Sequence, residues 1–290
     1  MPAYIFNTQE VDIFQVAPKL RKLYLGANFS PIRFGVPWAQ LTSLAFDCDD
    51  FHCFLEIMSE CPNVVECQIN ASPRYSMPST TFPQLRSLRA SHTSPSSWDV
   101  PSMGVDIPYL FDYLTLPNLC ELDYRKLTWS QPAFMSFLQR SSCSLRRLFL
   151  NCTNLTESDL IQTLDQMPLL TELGLQQKYH DIFFETLLAR LTYRETGDSN
   201  MDCLVPKLEV IALDPSFNGQ SFLDMIQSRW RLKEGGSSAK DNTSQVTRLK
   251  EVDLTVYFYY PLDSNVITQI REFSDEGLSL FIRKGNSYYH

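Results

Sequence analysis

Apolar and polar positions along this chain follow one short pattern that returns nine times. It reads apolar-x-x-apolar-x-apolar, often with a proline two positions ahead. The copies are APKLRKLYL (17–25), WAQLTSLAF (38–46), CPNVVECQI (61–69), FPQLRSLRA (82–90), LPNLCELDY (116–124), CSLRRLFL (143–150), MPLLTELGL (167–175), VPKLEVIAL (205–213) and TRLKEVDL (247–254). The last two apolar positions are two residues apart, so they share one face of a strand, and the first lies in the turn leading in. One such unit cannot bury its own apolar face, whereas stacked units can.

The first anchors are Leu20, Leu41, Val64, Leu85, Leu119, Leu145, Leu170, Leu208 and Leu249. Five of the eight gaps between them fall in the range of about 20–29 residues that marks leucine-rich repeats. Helical spacing fills the intervals. FLEIMSE, QPAFMSFLQRS and DIFFETLLARL each carry an apolar stripe, as do FLDMIQSRW and SNVITQIREF, the latter behind Ser264. TESDLIQTLDQM opens with Thr156 three residues before Asp159, a capping pattern, and Pro132 sits near the start of its own helix. GLSLFIRKG (277–285) reads as a last strand that fits the pattern loosely.

Strand then helix, repeated, predicts an α/β leucine-rich-repeat solenoid. It would have a curved parallel sheet on the concave face, helices on the convex face and about nine irregular repeats. The chain is expected to be one domain over 1–290. Polar insertions near 91–106, 194–203 and 233–245 account for the long gaps and are expected to be mobile.

Composition narrows the function classes. Apolar residues make up 44% and charged residues 20%, which is globular. A net charge of −8 speaks against non-specific nucleic-acid binding, which needs basic surface. No apolar run approaches the roughly 20 residues that span a bilayer. The first residues carry neither a basic nor a long apolar signal region, so a cytoplasmic or nuclear location is expected.

DCDDFHC and CPNVVECQI gather Cys48, Cys53, Cys61, Cys67, His52, Asp47, Asp49 and Asp50 within about twenty residues. Zinc needs three or four converging ligands, and these spacings match no common zinc pattern. The repeat offers another assignment. Cys67 stands where other copies have Leu44, Leu88 or Leu122, and Cys61 where they have Phe82, Leu116 or Met167. Both positions are apolar. Cys53 falls on the helix with Phe54, and His52, Asp49 and Asp50 suit its solvated start. No metal and no cofactor are expected. Nor does the chain carry a nucleophile elbow, a P-loop, a dinucleotide fingerprint or a zinc-protease motif, so it is not expected to be an enzyme.

What remains is surface. Residues flanking the buried anchors face the concave side. The candidate partner-binding set is Glu66, Gln68, Asn70, Arg89, Glu121, Asp123, Arg125, Arg147, Phe149, Asn151, Glu172, Gln176 and Asp214. Arg89, Arg125 and Arg147 come from consecutive copies with Phe149 beside them, and binding surfaces favour arginine and aromatics. Glu172, Asp214, Glu251 and Asp253 gather toward the C-terminal copies, which suits a partner with basic character at one end.

LRKLYL, VPWAQLTSL, CPNVVECQI, a Leu-Pro-x-Leu strand, SSCSLRRLFL, ESDLIQTLDQMPLLTELGL and FLDMIQSRWR, in that order, resemble the leucine-rich-repeat portion of fungal F-box proteins. The resemblance runs over roughly residues 13 to 285. It implies a receptor that holds a protein substrate for a cullin–RING ubiquitin ligase, monomeric outside that complex. The F-box of such proteins docks a Skp-type adaptor. Here the residues ahead of the first copy are too few for an F-box, so the adaptor is expected only if the full gene product carries one. The alternatives are a ligase-independent repeat scaffold and, from another class, a metal-binding or hydrolytic protein using the Cys48–Cys67 cluster.

Overall fold

The computed structural model describes residues 17–26, 35–47, 51–70, 79–91, 110–176, 184–194, 203–214, 218–232, 246–256 and 263–284. The strands are β1 (Lys22–Leu25), β2 (Ser43–Asp47), β3 (Glu66–Asn70), β4 (Thr80–Thr81), β5 (Ser87–Ser91), β6 (Leu114–Thr115), β7 (Glu121–Thr128), β8 (Arg147–Thr153), β9 (Glu172–Leu175), β10 (Val210–Leu213), β11 (Glu251–Val256) and β12 (Ser279–Lys284). The helices are α1 (Phe51–Ser59), α2 (Leu110–Tyr113), α3 (Gln131–Ser141), α4 (Glu157–Asp165), α5 (Glu185–Leu191), α6 (Gly219–Trp230) and α7 (Ser264–Asp275).

Ten of the strands form one sheet in chain order, all parallel, with β4 and β6 paired apart from it. The architecture is mixed α/β, compatible with a solenoid. Each of the nine pattern copies lies on one strand of the large sheet, and GLSLFIRKG lies on the tenth.

The register explains why one pattern serves every strand. Leu23, Leu44, Cys67, Leu88, Leu122, Leu148, Leu173, Ile211, Val252 and Leu280 are partners across the sheet, in one row. A second row runs Leu25, Phe46, Ile69, Ala90, Tyr124, Leu150, Leu175, Leu213, Leu254 and Ile282. A slip of one residue on any strand would turn both its apolar positions to water. The backbone holds the register at each junction. The carbonyl of Arg21 accepts from the amides of Thr42 and Ser43, Thr42 from Val65 and Glu66, and Val65 from Arg86 and Ser87. The same double acceptance continues through Arg86, Cys120, Arg146, Thr171 and Glu209.

Apart from Ile282, which is 41% exposed on the edge strand β12, the two rows share one continuous core with the helices. Phe54 of α1 stacks on Phe46 at 6.0 Å. Phe111 of α2 stands 4.8 Å from the rings of both Tyr124 and Phe134, and Trp129 is 4.7 Å from Phe134. Burying each large apolar side chain contributes about 1.5–3 kcal/mol. α2, β4 and β6 have no counterpart in the repeat pattern. They fold because Leu110, Phe111 and Leu114 bury against α3, and Arg140 ties their carbonyls together, with Leu114 O 2.8 Å from its Nη2.

Helix ends follow local chemistry. Thr156 Oγ1 accepts from the Asp159 amide at 3.1 Å, as its spacing predicts, and Pro132 occupies the first turn of α3. At α7 the cap is Asp263, whose carboxylate accepts from the Asn265 amide at 2.8 Å. Ser264, placed by the sequence reading ahead of the helix, is its first residue, because the neighbouring carboxylate is the stronger acceptor. α1 also begins earlier than FLEIMSE, at Phe51. The insertions at 91–106, 194–203 and 233–245 fall almost wholly outside the described residues.

Candidate functional site

With the helices on one side, the other face of the sheet is left open. It carries three rows of outward positions. The first runs Lys22, Ser43, Glu66, Ser87, Glu121, Arg147, Glu172, Val210, Glu251 and Ser279. The second runs Tyr24, Ala45, Gln68, Arg89, Asp123, Phe149, Gly174, Ala212, Asp253 and Phe281. In the third, Asp47, Asn70, Ser91, Arg125 and Asn151 stand on adjacent strands.

An open groove of about 480 Å³ crosses this face from Ser43 and Ala45 on β2 to Val210 and Ala212 on β10. Among the candidate residues, Glu66, Gln68, Arg89, Glu121, Asp123, Arg125, Arg147, Phe149 and Glu172 line it. Asn70 and Asn151 sit beside it in the third row, and Asn151 Nδ2 donates to Oε1 of Gln176, just past the end of β9, at 3.1 Å. Asp214 departs from the set. It directly follows β10 but is only 5% exposed, too buried to touch a partner.

The three arginines are held within the face. Asp123 is the hub. Its Oδ2 accepts from Arg89 Nε at 2.8 Å and from Arg125 Nη2 at 2.8 Å, and its Oδ1 from Arg125 Nε at 2.5 Å. Arg147 donates to Glu121 and lies 3.7 Å from Glu172 Oε2. The Arg125 guanidinium sits 4.4 Å from the centroid of the Phe149 ring. A chain of contacts thus runs from Gln68 through Arg89, Asp123 and Arg125 to Phe149. The arrangement differs from a cationic patch, since every arginine faces a carboxylate on its own or an adjacent strand.

At the edges the charges also pair. Tyr24 donates to Asp47 Oδ2 at 3.0 Å, which together with that carboxylate's charge raises the phenol above its ordinary value. Asn70 Nδ2 donates to Asp47 Oδ1 at 2.6 Å. Asp253 Oδ2 meets Arg283 at 2.7 Å. Between β3 and β11 the first two rows hold the carboxylates Glu66, Glu121, Asp123, Glu172, Glu251 and Asp253, and the cations Arg89 and Arg147. Arg125 of the third row is the third cation there. The face is acidic on balance.

The groove floor went unread in the sequence. Ala45, Gly174, Val210 and Ala212 are small outward residues. The alternation L-x-L with glycine or alanine at x was the available signal, in ELGL, VIAL and SLAF.

The cysteines take the places the repeat assigns. Cys61 is 3% exposed and Cys67 4%, both within the core. Burial pushes the Cys61 thiol up to about 12 and Cys67 higher still. Cys53 on α1 is half-buried against the same core. Cys48, Asp49 and Asp50 lie outside the described residues, as do His92, His180 and His290, and nothing is described of the His52 side chain. Among the described residues, no three His, Cys, Asp or Glu side chains are grouped to hold a metal, and no helix is long and apolar enough to cross a membrane.

No protein-family profile matches the chain, and no curated protein matches it.

Proposed function

We propose that the chain is a leucine-rich-repeat solenoid whose open sheet face recognises a protein partner. The repeat reading is supported by the common register of ten strands and the double-acceptor carbonyl repeated at the strand junctions. The recognition reading rests on one observation above others. The groove from β2 to β10 is lined by side chains braced against each other, with an aromatic ring and ion-paired arginines at its centre. Pre-positioned side chains lose little freedom on binding, and aromatic and arginine anchors carry most interface energy. The substrate-receptor role in an F-box-type ubiquitin ligase follows from the resemblance alone. A ligase-independent scaffold is the alternative.

Affinity purification with mass spectrometry tests this with three proteins: the wild type, the double reversal Arg125→Glu/Arg147→Glu, and Glu185→Lys on exposed α5. Partners held by the open face are captured in the same amounts by the wild type and Glu185→Lys and in changed amounts by the double reversal, which breaks the ion pairs bracing the face and adds negative charge to it. The same partner set in all three contradicts the proposal. Recovery of a Skp-type adaptor and a cullin with the full gene product supports the ligase role, and their absence supports the scaffold.

A further inference from the structure

We infer that the occupant of the groove is an extended, basic peptide segment, with an arginine or lysine seated over β10 between Glu172 and Glu251. This rests on the open face being the recognition surface and names the chemistry that it selects.

Three observations carry the inference. The first is length. The groove crosses seven strands, and six inter-strand spacings cover about 29 Å, which an extended segment of about nine residues fills. The second is charge. Six carboxylates face three arginines between β3 and β11, and each arginine already meets a carboxylate. An acidic or phosphorylated segment would meet arginines whose charge is already offset by a carboxylate. A basic segment meets carboxylates with acceptor capacity to spare. Glu172 has only a long 3.7 Å approach to Arg147. Glu251 makes no ion pair among the described residues.

The third is shape. Glu172, Val210 and Glu251 are partners across adjacent strands, so the backbones of the two glutamates stand about 10 Å apart with Val210 between them, Glu172 lining the groove and Glu251 on the next strand past its end. Ala212 continues the floor, and the Phe149 ring covers Gly174 at one side. A small apolar floor flanked by two carboxylates suits an arginine, whose methylenes lie on the floor while its guanidinium donates to both sides.

Selection of a random dodecapeptide phage library on the intact chain tests this, followed by affinity measurement of the selected peptides by fluorescence polarisation. The account expects the selected sequences to be rich in Arg and Lys and poor in Asp and Glu. Their affinity should fall about tenfold in Glu172→Gln/Glu251→Gln, a loss consistent with removing charge-assisted contacts. Circular dichroism checks that this isosteric variant is folded. Peptides that are acidic or neutral, yet lose binding in Arg125→Glu/Arg147→Glu, overturn the basic-segment inference and leave the recognition role standing. Peptides that bind all variants equally overturn both.

Discussion

The Phe149 ring lies directly on Gly174 of the neighbouring strand, where a β-carbon would stand 2.2 Å from the ring's Cδ2. Only a residue without a side chain lets the ring take this position, and the ring in turn carries the Arg125 guanidinium 4.4 Å from its centroid. Gly174→Ala is therefore expected to push the ring away and cost about 1 kcal/mol, at the low end for overpacking because Phe149 is only half-buried. In a Phe149→Ala background the same change should be neutral or stabilising by about 0.5 kcal/mol, since alanine suits a strand better than glycine. A double-mutant cycle on urea midpoints measures the coupling.

Arg229 on α6 is fully buried and clamps the chain entering β10. Its Nε donates to Leu191 O at 2.6 Å and its Nη2 to Leu204 O at 2.7 Å, with Cys203 Sγ at 3.1 Å. Arg229→Leu strips these buried carbonyls of their donor and should cost about 2–4 kcal/mol. Arg229→Lys should recover little of it, because a single ammonium cannot reproduce the planar fork. Chemical denaturation of the two variants distinguishes these outcomes.

The buried thiols set a pH and a reactivity prediction. With Cys61 raised to about 12, roughly one molecule in ten thousand carries its thiolate at pH 8. Native protein should leave Cys61 and Cys67 unalkylated by iodoacetamide, while urea exposes both; mass spectrometry reads the sites. Because their folded values lie above the ordinary 9.0, the stability they contribute is whole below that pH. It is lost as pH rises from there toward about 12 for Cys61. The unfolding midpoint should fall over that window, and Cys61→Ala/Cys67→Val should flatten the fall.

Thr156→Ala removes the acceptor of the Asp159 amide at the start of α4. The expected loss is about 1 kcal/mol, read as a lower thermal midpoint, with Thr156→Asn or Thr156→Asp close to the wild type.

Much of this architecture was legible because the apolar pattern and the strand register are the same fact seen twice. CPNVVECQI illustrates it. Its cysteines occupy leucine positions, and β3 pairs Cys67 with Leu44 and Leu88. The outward face was legible by alternation, down to Arg125 and Phe149. Three things escaped. Phe111 and its short helix follow a long gap in the pattern, and their burial depends on α3, which no local signal links to them. Asn63 and Asn118, each directly after the proline of its copy, tie adjacent units through Ala39 O at 2.7 Å and Pro83 O at 2.8 Å. The ion pairs also escaped, because pairing depends on neighbours across strands, so three arginines read as a patch when each faces a carboxylate. The same alternation places Asp214 outward, yet it sits past the end of β10, where the period-two rule no longer holds, and is buried.

Site-specific photo-crosslinking tests most directly whether the open face is where a partner sits. p-Benzoylphenylalanine replaces Phe149 in the groove in one protein and Glu185 on exposed α5 in another, and both are irradiated in cells. The account predicts a protein adduct from position 149 and none from position 185. An adduct from 185 with none from 149 would contradict it.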